Sequence, residues 1–393
     1  MVQLRQHQSR VLDAMGDMSK GQVIVPTGGG KTLCMIQDVK RVFTESNCNT
    51  IVVVAPRILL AQQLSSDFLE HIDNARVMHV HSGDTEHYSS TQPEDVFDWH
   101  LLNKLFHKNS LIFTTYHSLH RVKESGIPVN TIYFDEAHNS VQRHFHPATK
   151  FYGTGGASRC FFFTATPHHS ATRHKAGMND VEVYGDVIEQ VPAPELVDAG
   201  YILPPKVVVK ELDMIRDRKV TLDDDTENIL STIDSQDVNK ILICVRRTSQ
   251  ITGMIAETDL ALELRSRGYN WMYITAKTGA VINGKRVSRV QFFETLNQWG
   301  EDDTKFVVMH HSILSEGINV NGLEAVLFLR SMNYTGISQT IGRVIRKGND
   351  DKKFGIVCIP VYDRVGISTS RKVQSVVDTV FEKGEPAISL ITR

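Results

Sequence analysis

The sequence predicts an α/β protein made of two doubly wound units, each a mostly parallel sheet with helices on both faces. Three observations lead there. Short β-branched runs recur through all 393 residues, and most are continuously apolar rather than alternating. That pattern suits strands buried on both faces of a parallel sheet. Stretches with helical spacing fall between the runs, and strand alternating with helix is the doubly wound signature. The length suits two domains better than one.

In the first half the expected strands are VIV (23–25), IVVVA (51–55), RVMHV (76–80), LIFTTY (111–116), TIYFDEA (131–137) and CFFFTAT (160–166). Leu59, Leu60, Leu64 and Phe68 mark a helix between two of them. In the second half the expected strands are ILICV (241–245), MYIT (272–275), KFVVMH (305–310), AVLFLR (325–330) and FGIVCIP (354–360). Between the halves, QVPAPELVDAGYILPPK (190–206) holds four of the twelve prolines, and proline interrupts helices and favours extended linkers. Domain one is therefore expected over 1–195, a linker over 196–205, and domain two over 206–393.

A net charge of −2 argues against a broadly basic surface, so any nucleic-acid site must be local. The five cysteines (34, 48, 160, 244 and 358) show no C-x-x-C spacing and read as buried thiols of a cytoplasmic protein. No stretch approaches 18 uninterrupted apolar residues, and MVQLRQHQSRVL does not read as a signal peptide, so no membrane partner is expected. The run Asp223, Asp224, Asp225 reads as a solvated helix start. His144, His146, His168, His169 and His174 lack the partners and spacing of a zinc site.

The chemistry concentrates in two motifs. VIVPTGGGKT (23–32) is a strand running into a glycine turn that opens a helix. Thr27, Gly28, Gly29 and Gly30 would turn backbone N–H groups toward phosphate, helped by the helix N-terminus. Lys31 would reach the β- and γ-phosphates, and Thr32 would bind Mg²⁺. The strict phosphate-loop pattern has glycine where this chain has Val25. TIYFDEAH (131–138) delivers Asp135 and Glu136 to the C-terminal end of a strand, where ligands of open α/β sheets bind. Asp135 would hold Mg²⁺ and Glu136 would act as general base on water.

PTGGGKT followed by DEAH resembles motifs I and II of the superfamily-two helicases, a family that tolerates a residue such as Val25. The resemblance implies two tandem RecA-like domains, ATP and Mg²⁺ as cofactors, and movement along nucleic acid. LRQHQ (4–8) resembles the Q-motif, which implies adenine recognition by Arg5 and Gln8. VVVAPRILLAQQ resembles motif Ia and FTTYHSL motif Ib, implying backbone contacts by Arg57, Thr114 and Thr115. FTATP resembles motif III, in which Thr164 and Thr166, with His138 of DEAH, couple hydrolysis to strand binding.

In the second half ILICVRRTSQ resembles motif IV and ITAKTG motif IVa. Arg246, Arg247, Thr248 and Lys277 are further strand contacts by that resemblance. HSILSEGINV resembles motif V, with Glu316 and Gly317 near the nucleotide. QTIGRVIRKG resembles motif VI, with Gln339, Arg343 and Arg346 acting on the phosphates. The spacing of Gln339, Arg343 and Arg346 is that of one helix face.

The linker and SEGIN look most like the compact DEAH-type DNA helicases, a group of XPB-like, RecG-like and phage repair or recombination enzymes. Single-stranded or branched DNA is the favoured partner. An RNA-dependent ATPase, or a nucleic-acid clamp without turnover, remains an alternative reading.

Overall fold

The computed structural model describes residues 3–172, 174–212, 221–275, 277–311, 322–329, 333–346, 352, 354–362 and 367–391. It forms two compact units, Met1–Pro192 with Pro386–Arg393, and Ala193–Glu385.

The first unit opens with helix α1 (Gln6–Asp17) and strand β1 (Lys20–Ile24), followed by α2 (Lys31–Glu45), β2 (Thr50–Ala55), α3 (Ile58–Leu69) and β3 (Ala75–Val80). A short β4 (Tyr88–Ser89) leads to α4 (Pro93–Leu105), β5 (Asn109–Thr115), α5 (Leu119–Glu124) and β6 (Val129–Phe134). A 3₁₀ turn (Ala137–Val141) and α6 (His146–Phe151) then precede β7 (Ala157–Thr164), β8 (His168–Ser170), α7 (Val181–Tyr184) and β9 (Val187–Gln190).

The sheet order is β4-β3-β5-β2-β6-β7-β1-β9, and each of its pairings is parallel. Its central strands are buried along their whole length, as the unbroken apolar runs require. The core cluster includes Val52, Ile112, Ile132, Phe134 and Phe162, with the Phe134 and Phe162 rings stacked 4.8 Å apart.

A polar lock crosses this unit. Asp38 on α2 is fully buried and accepts both guanidinium nitrogens of Arg159 on β7, at 3.0 and 3.1 Å. It also accepts the Tyr133 hydroxyl on β6 at 2.5 Å and an ion pair from Arg41. The helix that begins at Lys31 is thereby tied to the strand that ends before Asp135.

The second unit starts earlier than expected, and its first residues are structured. Helix α8 (Ala193–Asp198) runs into the first residues of the proposed linker, tolerating Pro194 in its first turn. Ala193, Leu196 and Ile202 are buried. The next strand, β10 (Pro205–Leu212), lies at the sheet edge, the place where a proline can begin a strand. The unit continues through α9 (Leu222–Gln236), β11 (Lys240–Cys244), α10 (Thr248–Glu257), α11 (Leu260–Ser266), β12 (Asn270–Thr275), β13 (Gly279–Ile282) and β14 (Lys285–Val287). It ends with α12 (Arg289–Glu301), β15 (Phe306–His310), β16 (Ala325–Phe328), α13 (Tyr334–Val344), β17 (Gly355–Tyr362) and α14 (Ile367–Val377). Its sheet order is β10-β17-β16-β11-β15-β12-β13-β14, parallel except for the β12-β13-β14 meander at one edge.

The last strand, β18 (Ser389–Ile391), pairs in parallel with β8 and so belongs to the first unit, where domain two was expected to run to 393. No helix among the described residues is long and apolar enough to cross a membrane.

Candidate nucleotide and nucleic-acid site residues

β1 and β6 end at the same edge of the first sheet, with β7 between them: Ile24 is level with Thr164, and Phe134 with Phe162. This carries the glycine turn, Thr164 and Asp135-Glu136 to one rim. Gly28 and Gly30 have φ of 89° and 84°, the left-handed backbone that glycine adopts without a Cβ clash. A Cβ on Gly30 would also lie 2.4 Å from Gln8 Nε2.

Gly29 behaves differently from its neighbours. Its N–H donates to the Pro26 carbonyl at 3.0 Å, which closes the turn instead of facing a ligand. Its carbonyl lies 2.7 Å from His7 Nε2.

Lys31, at the start of α2, places Nζ 3.8 Å from Glu136 Oε1. Both side chains are about one-tenth exposed. Glu136 has φ of 46° in a left-handed conformation that costs a side-chain-bearing residue about 1 kcal/mol. The Asn139 N–H and side-chain amide both donate to its carbonyl, at 3.0 and 3.1 Å. Burial first, and then the adjacent Glu136 charge, push the Asp135 carboxyl above the usual carboxylate range, while Lys31 pulls it back. Two neighbouring buried carboxylates facing one ammonium suit an added divalent cation. Asp135 and Thr32, at the start of α2, supply the oxygen donors that Mg²⁺ prefers.

His138 links this pair to β7. Its Nδ1 lies 3.5 Å from Glu136 Oε2, 3.0 Å from Thr164 Oγ1 and 3.3 Å from Thr166 Oγ1. Both threonines are fully buried, so their hydroxyls address this network. His168 packs 5.1 Å from the His138 ring, and burial, then His138, push its pKa down to about 4.

Arg5 and Gln8 lie against the phosphate loop: Arg5 donates to the Gly28 carbonyl at 3.4 Å, and Gln8 Nε2 to the Gly29 carbonyl at 3.4 Å. Gln8 Oε1 accepts the Arg5 N–H at 3.0 Å. Gln8 is 2% exposed and both its polar atoms are engaged, so it braces the loop rather than presenting a free edge to adenine. His7, Tyr116 and Asp38 were not singled out from the sequence. Tyr116 donates its hydroxyl to the Asp135 carbonyl at 2.9 Å. The signal for these residues was their place beside motifs, which one-dimensional spacing does not resolve.

The strand-binding candidates divide. Arg57, Arg246, Arg247 and Lys277 are exposed just beyond strand ends, and Thr248 is half-buried at the start of α10. Thr114 is a correction. It is fully buried, and its hydroxyl donates to the Val80 carbonyl at 2.9 Å, so it belongs to the sheet interior. Thr115 is 3% exposed and likewise offers little surface.

Motif VI brings a second correction. Gln339 and Arg343 lie one turn apart on α13, both largely buried. The helix ends at Val344, however, and Arg346 forms an antiparallel bridge with Ile202. The Leu203 N–H takes the Ile345 carbonyl at 2.7 Å, and the Lys352 ammonium takes the Val344 and Arg346 carbonyls at 2.5 and 3.0 Å. These donors replace the next helical turn, so Arg346 does not share the α13 face. Glu316 and Gly317 lie outside the described residues.

Residues 1–169 match the family model described as "Type III restriction enzyme, res subunit". No curated protein matches the chain. Among solved structures, the DNA-bound ATP-dependent Type ISP restriction-modification enzyme LlaBIII aligns over 100% of this chain and 31% of its own, at 17% identity and a TM-score of 0.76. The Type ISP enzyme LlaGI, as a nuclease-deletion mutant with a DNA substrate mimic, aligns over 98% of this chain and 30% of its own, at 17% identity and a TM-score of 0.68. The S. cerevisiae Dbp5 bound to RNA and ADP BeF3 aligns over 98% of this chain and 89% of its own, at 14% identity and a TM-score of 0.60. The chain thus spans about a third of the length of the two restriction-modification enzymes. The matched segment contains the first unit's motifs from LRQHQ to FTATP, and the solved structures share the chain's α/β fold.

Proposed function

We propose that this chain is a nucleic-acid-dependent ATPase that moves along or remodels DNA. The observation that carries the reading is the meeting of Lys31 and Glu136 at 3.8 Å on one rim, with Asp135 beside them. Sequence places Lys31 and Glu136 105 positions apart, and the fold brings together the charges that phosphate hydrolysis uses.

Mg-ATP, when bound, supplies the labile phosphoanhydride and the Lewis acid. Lys31 would then exchange its carboxylate partner for phosphate oxygen. This frees Glu136 to accept a proton from water. Thr27, Gly28 and Gly30 line the loop, and Thr32 and Asp135 would hold the cation. His138, through Thr164 and Thr166, passes a change at Glu136 to the end of β7. Gln339 and Arg343, one turn apart on α13, are the motif VI candidates for a phosphate role. Arg57, Arg246, Arg247, Thr248 and Lys277 grip the sugar-phosphate backbone without reading bases.

DNA is favoured over RNA because the restriction-enzyme family model matches the first unit, and two of the three structures above hold DNA or a DNA mimic. A specific place among XPB-like, RecG-like or phage repair enzymes rests on the SEGIN motif and the linker alone. The test is ATP turnover with single-stranded, forked and duplex DNA and with RNA of matched sequence, across a salt series. DNA should stimulate at least about fivefold more than RNA, with the effect fading as salt rises. Stimulation by RNA alone would overturn the DNA assignment, and turnover indifferent to every nucleic acid would overturn the motor.

A further inference from the structure

Helix α4 and the residue after it present large apolar side chains to solvent. Val96, His100 and Asn103 are buried against the first unit, whereas Phe97, Leu101, Leu102, Leu105 and Phe106 are between 46% and 70% exposed. Five large side chains at this exposure make a patch of several hundred Å², a size that is often functional. This helix lies away from the glycine turn in sequence and carries none of the residues assigned above.

The charges around the patch say what fits it. Exposed Glu94 and Asp98 lie in the N-terminal half, and exposed Lys104 and Lys108 at the C-terminal end. Leu101 is midway between Phe97 and Leu105, and also midway between Asp98 and Lys104. A two-fold axis at Leu101 therefore sets apolar residue level with apolar residue and the acidic half opposite the basic end. The antiparallel arrangement also opposes the two helix dipoles. A parallel arrangement would set like charges level and align the dipoles.

We propose that α4 is a self-association face, on which a second copy of this chain packs its own α4 antiparallel across Leu101. The contact is isologous, so it closes as a dimer and does not propagate. Burying both patches removes roughly 1,000 Å², the lower end of specific interfaces, so the dimer is reversible and depends on concentration.

The test is sedimentation equilibrium of the full chain across a concentration series. The wild type should rise from 44.2 kDa toward twice that mass. Leu101→Asp should remain monomeric, with unchanged circular dichroism and ATP turnover. Glu94→Lys with Asp98→Lys makes the face uniformly basic, and Lys104→Glu with Lys108→Glu makes it uniformly acidic. Each double variant should be monomeric alone, and their equimolar mixture should restore the dimer. The proposal is overturned if the wild type is monomeric at every concentration, which would leave the face to a different protein. Dimerisation of Leu101→Asp like the wild type, or a mixture that stays monomeric, would overturn it equally.

Discussion

Replacing Asp38 by alanine removes the acceptor on which α2, β6 and β7 converge. Arg159, with a side chain 22% exposed, loses a bidentate partner, and the fully buried Tyr133 hydroxyl loses its acceptor. Breaking a buried ion pair from one side costs about 3–5 kcal/mol, and an unmet buried hydroxyl about 1–3 kcal/mol. The two terms overlap, and water can reach Arg159 and the 36% exposed Arg41, so the net loss is about 3 kcal/mol. Hydrogen exchange of peptides from β1, β6 and β7 reads this unit by itself, and such a loss means roughly hundredfold faster exchange. Asp38→Leu combined with Arg159→Met should recover more than half of the loss, because it removes the charge from both sides. Exchange in Asp38→Ala within a factor of two of wild type would refute the lock.

Other outcomes follow from the same geometry. Gly30→Ala places a Cβ at a φ of 84° and against Gln8, so nucleotide affinity should fall at least about tenfold in a fluorescent-analogue titration. Adding Gln8→Ala should relieve the clash but not the backbone cost, and full recovery would show that the φ is unimportant. Tyr116→Phe deletes the donor to the Asp135 carbonyl and should cost about 1 kcal/mol, seen as a several-fold fall in turnover with unchanged nucleic-acid affinity. His79 is buried beside His81 and Ser65, and burial, then His81, push its pKa down to about 4. A neutral folded imidazole contributes stability that is complete above pH 6.5 and is lost as pH falls toward 4, about 3 kcal/mol over that window. His79→Gln should flatten that part of the urea-midpoint curve, and parallel curves for variant and wild type would exclude His79 as its source.

The central strands were legible because burial on both faces forces apolar runs: IVVVA, LIFTTY and CFFFTAT all fall on or around observed strands. Edge elements were not, because a strand paired on one side needs no such run. β4, β9 and β14 are short and largely polar or exposed, and β10 hides behind a proline pair that reads as linker. Motif spacing singled out Lys31, Asp135 and Glu136, which the fold brings to one rim, with Lys31 Nζ 3.8 Å from Glu136 Oε1. It placed Thr114 wrongly because one residue along a strand turns a side chain to the other face, and this strand is buried on both. Arg346 was misread for another reason: a helix stops where outside donors take its carbonyls, and Leu203 and Lys352 are distant from it or beyond it in sequence. His7 and Asp38 act through contacts across the fold, which spacing does not encode.

The most direct measurement is ATP turnover with and without single-stranded DNA, in wild type, Lys31→Ala and Glu136→Gln. DNA should stimulate the wild type. Both variants should lose at least about a hundredfold of turnover while retaining wild-type hydrogen exchange, and Glu136→Gln should still bind nucleotide. Turnover by Glu136→Gln at the wild-type rate would contradict the account, since the carboxylate facing Lys31 would then take no part in hydrolysis.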